Sequence, residues 1–223
     1  AYEYYVKEIE APDGYTISPE LLEGKRVYAD TSSNTPVTTI ENEPVNVTFK
    51  KTNAAGNALS GGLFSLYENN GTATNPNYAF LRGFVPTSEG FDLSGLGDGQ
   101  YRIRETSAPS GYQINLTPID FEIKKNSDAT RSVFVNDEVV SDGLLQLKDY
   151  RGSALLKKSD ESGKALGNAK FNVQRAELNS DDYSDYGNQD SYVTANDGEL
   201  KLSDLPPGKY KVKESQAPEN YYL

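Results

Sequence analysis

The chain has 223 residues, 36% of them hydrophobic and 25% charged, with a net charge of −11. That surplus of acid argues against nucleic acid and against an anionic membrane surface as partners. It contains neither cysteine nor histidine, which removes disulfides, cysteine- or histidine-ligated metals, thiol nucleophiles and a Ser-His-Asp triad.

No apolar run reaches the length of a membrane span, so no membrane insertion is expected, and no cofactor or metal is expected either. Abundant Thr, Val, Tyr and Asn, turns rich in Gly and Pro, and the lack of long helical periodicity predict an all-β chain. Its length suits one large domain or two to three small ones. Neither end carries a signal peptide or a sorting tail, so the sequence reads as a piece of a longer protein.

The first element in the chain is Tyr4–Tyr15, YYVKEIEAPDGY, and it recurs as Tyr101–Tyr112, YRIRETSAPSGY, and Tyr210–Tyr221, YKVKESQAPENY. Each copy sets a Tyr, a branched aliphatic and a Glu at alternate positions: Tyr4/Val6/Glu8, Tyr101/Ile103/Glu105 and Tyr210/Val212/Glu214. Alternate residues of a strand share a face, so each Glu is expected to point into the core with its Tyr and aliphatic. A carboxylate there is costly unless it is paired or protonated. An acid on an ordinary edge strand would account for one copy. Three copies in one register favour a placed acid.

Val37–Asn42, VTTIEN, is read next as a closing strand, with Lys51 nine residues beyond Asn42. Val47–Tyr67 then runs as a strand ending in Lys-Lys, a polar Gly turn and a Phe-x-Leu alternation. Val47, Phe49 and Lys51 share one face, so Lys51 points inward and Lys50 outward; a lysine snorkelling from a strand end is the plainer alternative. Asn69–Tyr78 reads as a polar hairpin loop, Pro118–Lys124 as an alternating strand and Asp142-Gly143 as a hairpin turn. Leu144–Asp149, LLQLKD, again stands nine residues before a second inward lysine, Lys158, which makes Asp149 the counterpart of Asn42. Asn136, at the end of Ser132–Asn136, is the rival for that closing position. Ala154–Gln174 repeats the Lys-Lys strand, with Lys157 outward, and Asn179–Asp190 is an acidic loop whose residue order does not fit a calcium hand. The spacing of these marks predicts residues 1–44 as the back half of a first domain, 45–150 as a complete second, and 151–223 as a third lacking its last strands.

Together these motifs resemble the B-type repeat domains of Gram-positive surface adhesins and sortase-assembled pilins, the collagen-adhesin B-region or SpaA-type family. The APxGY copies resemble the family's acid-bearing box at Glu8, Glu105 and Glu214, and KTN at Lys51 and KSD at Lys158 resemble its first strand. The resemblance implies tandem immunoglobulin-like β-sandwiches, each crosslinked spontaneously between a first-strand Lys and a last-strand Asn or Asp. It implies Lys51 joined to Asp149, or alternatively Asn136, with Glu105 assisting. Burial disfavours the charged form of an amine and of a carboxyl group alike. A neutral nucleophile and a neutral proton donor therefore come within reach of one another. The first domain offers Glu8 and Asn42 without a lysine, and the third offers Lys158 and Glu214 without a closing residue, whether through truncation or through complementation by another chain.

The function so implied is the stalk of a pilin or monomeric adhesin, extracellular and anchored to the cell wall through another part of the parent. Its partners are then the neighbouring repeats. The alternative is a module binding a host protein or glycan through loops such as Asn69–Tyr78 or Asp182–Tyr192. An enzyme is not expected.

Overall fold

The computed structural model describes residues 2–29 and 37–223; residues 30–36, inside the expected first domain, lie outside the described residues. It divides into two compact units, Ala1–Ser110 with Ile114–Asp149, and Gly111–Gln113 with Tyr150–Leu223. Strands dominate both. No described helix is long and apolar enough to cross a membrane.

The first unit begins with β1 (Tyr2–Val6), β2 (Tyr15–Thr16), one helical turn α1 (Pro19–Glu23), β3 (Lys25–Ala29) and β4 (Glu43–Pro44). β1 pairs antiparallel with β3, and β2 with β4. Val37–Asn42 is not a strand: its two apolar residues, Val37 and Ile40, stand three apart and so share no strand face, and they are 90% and 44% exposed. Ala11, Ile17 and Leu21 form a small core that Ala129, from the following domain, helps to close.

Arg131 ties this segment down. Its guanidinium donates to the backbone oxygens of Ala11 (3.2 Å) and Tyr15 (3.0 Å) and pairs with Asp98 at 2.6 Å, with its side chain only 5% exposed. The Asp13 carboxylate accepts the Asp98 backbone N–H at 2.9 Å. Gly97 faces that carboxylate so closely that a Cβ there would sit 2.4 Å from Asp13 Oδ2. Buried bonds to a charged donor are worth more than neutral ones. Arg131→Ala is therefore expected to loosen the segment by about 2 kcal/mol, read as roughly thirtyfold faster amide exchange at Leu22 and Val45. Unchanged exchange would show that the turn holds without Arg131.

The rest of the first unit, the expected second domain, is built from β5 (Thr48–Asn53), β6 (Leu63–Asn69), β7 (Tyr78–Phe84), β8 (Phe91–Asp92), β9 (Gly99–Ser107), β10 (Ile119–Lys125), β11 (Arg131–Val135), β12 (Glu138–Val139) and β13 (Leu144–Asp149). One sheet has the order β12-β11-β10-β9-β6-β7 and the other the order β13-β5-β8. Every pairing is antiparallel except β13 with β5, which run parallel from Leu144↔Thr48 to Asp149↔Asn53. Val47, Phe49, Phe64, Leu66, Leu93 and Ile103 are fully buried between the sheets. Phe49, Phe64 and Phe84 meet with ring centroids 4.7 to 5.6 Å apart, a separation that suits tilted and edge contacts.

The expected hairpin at Asp142-Gly143 is a different kind of turn. It carries the chain from β12 in the larger sheet to β13 in the smaller one. Both residues are left-handed (φ 53° and 62°), and a Cβ on Gly143 would lie 1.8 Å from the Asn46 oxygen, so only glycine fits.

The second unit contains β14 (Gly152–Lys157), β15 (Lys170–Ala176), β16 (Ser184–Asp185), β17 (Tyr192–Val193), β18 (Glu199–Leu205) and β19 (Lys209–Gln216). β14 pairs with β18, while β15 pairs with β16, β17 and β19. Val173, Leu200, Leu202 and Leu205 form its core.

Candidate functional site

Three strands deliver ionisable side chains to one place by the same alternation that buries their neighbours. On β5 and just before it, Val47, Phe49 and Lys51 are 0%, 0% and 1% exposed; on β9, Tyr101, Ile103 and Glu105 are 3%, 0% and 5% exposed. On β13, Leu145, Leu147 and Asp149 are 2%, 6% and 1% exposed. The parallel register sets Leu147 beside Lys51, so Asp149 lies two residues further along the same face.

The Lys51 ammonium touches Asp149 Oδ1 and lies 3.7 Å from Glu105 Oε1, with all three side chains 0% exposed. The Phe64 ring closes one side, its centroid 6.0 Å from Lys51 Nζ. Glu105 Oε2 accepts the Asn115 backbone N–H at 2.6 Å. Glu105 Oε1 and Asp149 Oδ2 have no hydrogen-bond partner.

One cation facing two carboxyl groups in a dry core carries an uncompensated negative charge unless a proton is present. Burial pushes the Glu105 carboxyl up; the Asn115 N–H and Lys51 pull against that, and Asp149 adds to it. Glu105 is thus the natural holder of the extra proton. A buried ion pair seldom stabilises a fold relative to apolar packing, since each ion gives up several kcal/mol of hydration. Stability alone is a poor reason for this cluster.

The other predicted residues are arranged as two partial sets. Asn42 Nδ2 donates to Glu8 Oε1 at 2.9 Å, and neither is paired with a lysine among the described residues. Glu8 lies beyond the end of β1, and Tyr4 and Val6 are 52% and 39% exposed. The inward face expected for that copy is therefore not a core, because among the described residues β1 has only β3 beside it. In the second unit Lys158 Nζ meets Glu214 Oε2 at 3.0 Å, with side chains 28% and 19% exposed. Asn136 occupies the β11–β12 turn at φ 51°, away from the cluster's strands. Asn115 was not singled out by sequence: it lies in an irregular stretch where no alternation marks it.

Tandem β-sandwich units with a Lys/Glu/Asp set sealed from solvent define a structural module, for no diffusing substrate reaches side chains that are 0% exposed. The chain belongs to the SpaA prealbumin-like fold domain family, which matches residues 45–138 and 152–223. No curated protein matches the chain. Among solved structures it is similar to the Bacillus anthracis TIE protein, with 27% identity, 97% of this chain and 37% of that one covered, and TM-score 0.41. It is also similar to a streptococcal ancillary pilin, with 19% identity, 99% and 68% covered, and TM-score 0.38. The C-terminal fragment of the pilus adhesin SpaC from Lactobacillus rhamnosus GG gives 22% identity, 80% and 78% covered, and TM-score 0.39. The chain thus spans little more than a third of the TIE protein's length.

Proposed function

We propose that this chain is a load-bearing stalk segment of a Gram-positive surface adhesin or pilin, whose second domain closes itself with an amide bond between Lys51 and Asp149. The observation that carries this reading is the contact of Lys51 Nζ with Asp149 beside Glu105, all three side chains fully buried. In the reaction a proton passes from the Lys51 ammonium to the Asp149 carboxylate. The freed amine attacks the Asp149 carboxyl carbon, and Glu105 gives its proton to the departing oxygen and recovers one from the nitrogen. The C–O bond breaks, the C–N bond forms and one water leaves. Holding nucleophile and carbonyl in contact supplies, in favourable cases, about 7–11 kcal/mol of barrier lowering.

On this reading residues 1–44, 45–150 and 151–223 are successive repeats, and the sets Glu8/Asn42 and Lys158/Glu214 are portions of equivalent sites. The partners are neighbouring repeats and the location is the cell surface, with wall anchoring through the parent protein. A second reading, binding of a host protein or glycan by loops, is favoured by exposed aromatics such as Phe80, which is 60% exposed beside the Asn69–Tyr78 loop.

Intact mass under denaturing conditions tests the chemistry. The wild-type chain is expected one water lighter than its sequence, and Glu105→Ala to have full mass while still folded. Loss of ammonia would move the partner to an asparagine. A wild-type chain of full mass would remove the bond.

A further inference from the structure

We propose that Asn115 is a positioning residue for this bond, one that holds Glu105 and the closing strand β13 together so that the amide forms only once β13 has docked. The inference rests on the amide reading above. Asn115 lies between the Tyr101–Tyr112 repeat and β10, and it makes three separate contacts. Its backbone N–H donates to Glu105 Oε2 at 2.6 Å, which leaves Oε1 as the oxygen turned toward Lys51. Its side-chain Nδ2 donates to the Lys148 carbonyl at 2.9 Å, in the peptide that leads directly into Asp149. Its Oδ1 accepts the Thr117 N–H at 3.0 Å, a local turn that fixes the amide plane and so aims Nδ2.

One residue therefore reaches the proton donor and the acyl-bearing strand, ten and 33 positions away in sequence. The consequence is an ordering of events. Glu105 is oriented by a backbone group of the 114–117 stretch, and that stretch is pinned by its grip on β13. Until β13 arrives, Nδ2 has no Lys148 carbonyl to hold and the carboxyl group has no fixed direction. Reactions of this kind lose rate steeply when a group is misplaced by even an ångström.

The groups facing Glu105 are Lys51 from β5, Asp149 from β13 and the Asn115 N–H itself, with Phe64 its register partner on β6. The N–H favours the carboxylate form. Its removal lets the neutral acid persist to higher pH, which moves the alkaline limb of the bond-forming rate upward. A purely structural role for Asn115 would not move that limb.

The test uses full-length chain recovered in denaturant before it has folded, then diluted to refold. Intact mass follows water loss, and circular dichroism follows folding. Asn115→Ala, and Asn115→Asp, which keeps the Thr117 turn but cannot donate to Lys148, are both expected to fold and then crosslink roughly tenfold more slowly than wild type. Asn115→Pro, which also removes the N–H, is expected to shift the alkaline limb, whereas Asn115→Ala leaves it in place. Folded Ala and Asp variants that lose water at the wild-type rate would overturn the positioning role. So would a slowing that only mirrors a smaller folded fraction. A wild-type chain that folds without losing water removes the amide reading and this inference with it.

Discussion

Lys51→Ala is expected to make the domain around it at least about 5 kcal/mol less stable. Two terms add. The proposed bond would close a loop whose ends are 98 positions apart, and by analogy with a long-loop disulfide, losing it would return roughly 4–5 kcal/mol of entropy to the unfolded chain. In addition, Glu105 and Asp149 would face one another with no cation in a site that excludes water. Such a pair must take up protons or carry an unpaired buried charge. Glu105→Ala separates the terms, since it prevents the bond but leaves Lys51 against Asp149. Denaturant titration of the three chains should rank wild type first, Glu105→Ala second and Lys51→Ala last. A Lys51→Ala midpoint equal to that of wild type would mean that the crosslink contributes nothing.

The second large effect is mechanical. Without a covalent tie, the stretch from Lys51 to Asp149, 98 positions long, extends on unfolding by roughly 320–350 Å of contour. With the amide, the tension that enters on β5 leaves on β13 and never loads the residues between. Pulling on the full chain is expected to show no step of that size in wild type and a clear one in Lys51→Ala. A wild-type step of full length would take the stalk reading's main support away.

The burial of Lys51, Glu105 and Asp149 was legible in the sequence, for an identifiable reason. Each stands at the end of an apolar alternation, and a period of two gives each the face of its apolar neighbours, although the sequence leaves Asn136 as a rival to Asp149 and a snorkelling Lys51 as an alternative. What was not legible depended on partners. Tyr4/Val6/Glu8 carries the same alternation as Tyr101/Ile103/Glu105, yet Tyr4 is 52% exposed and Tyr101 3%, because β9 lies between β6 and β10 while β1, among the described residues, pairs with β3 alone. Val37–Asn42 reads as a strand from its spacing to Lys51, but Val37 and Ile40 stand three apart, a spacing that gives a strand no common apolar face. Asp142-Gly143 announced a turn through its left-handed residues, but a turn signal does not say whether the next strand joins the same sheet. Asn115 acts through its backbone N–H and a contact 33 residues away, and neither leaves a trace in local pattern.

The parallel pairing of β5 with β13 has a consequence of its own. Force applied before Thr48 and after Asp149 draws these two strands in opposite directions along their length, so the ladder from Leu144↔Thr48 to Asp149↔Asn53 is loaded in shear. Its hydrogen bonds must then yield together, whereas an antiparallel pair pulled from one end opens like a zip, one bond after another. Even without a covalent tie, the domain is thus in the stronger of the two mechanical geometries. Tension along the chain therefore does not peel Asp149 away from Lys51 one rung at a time.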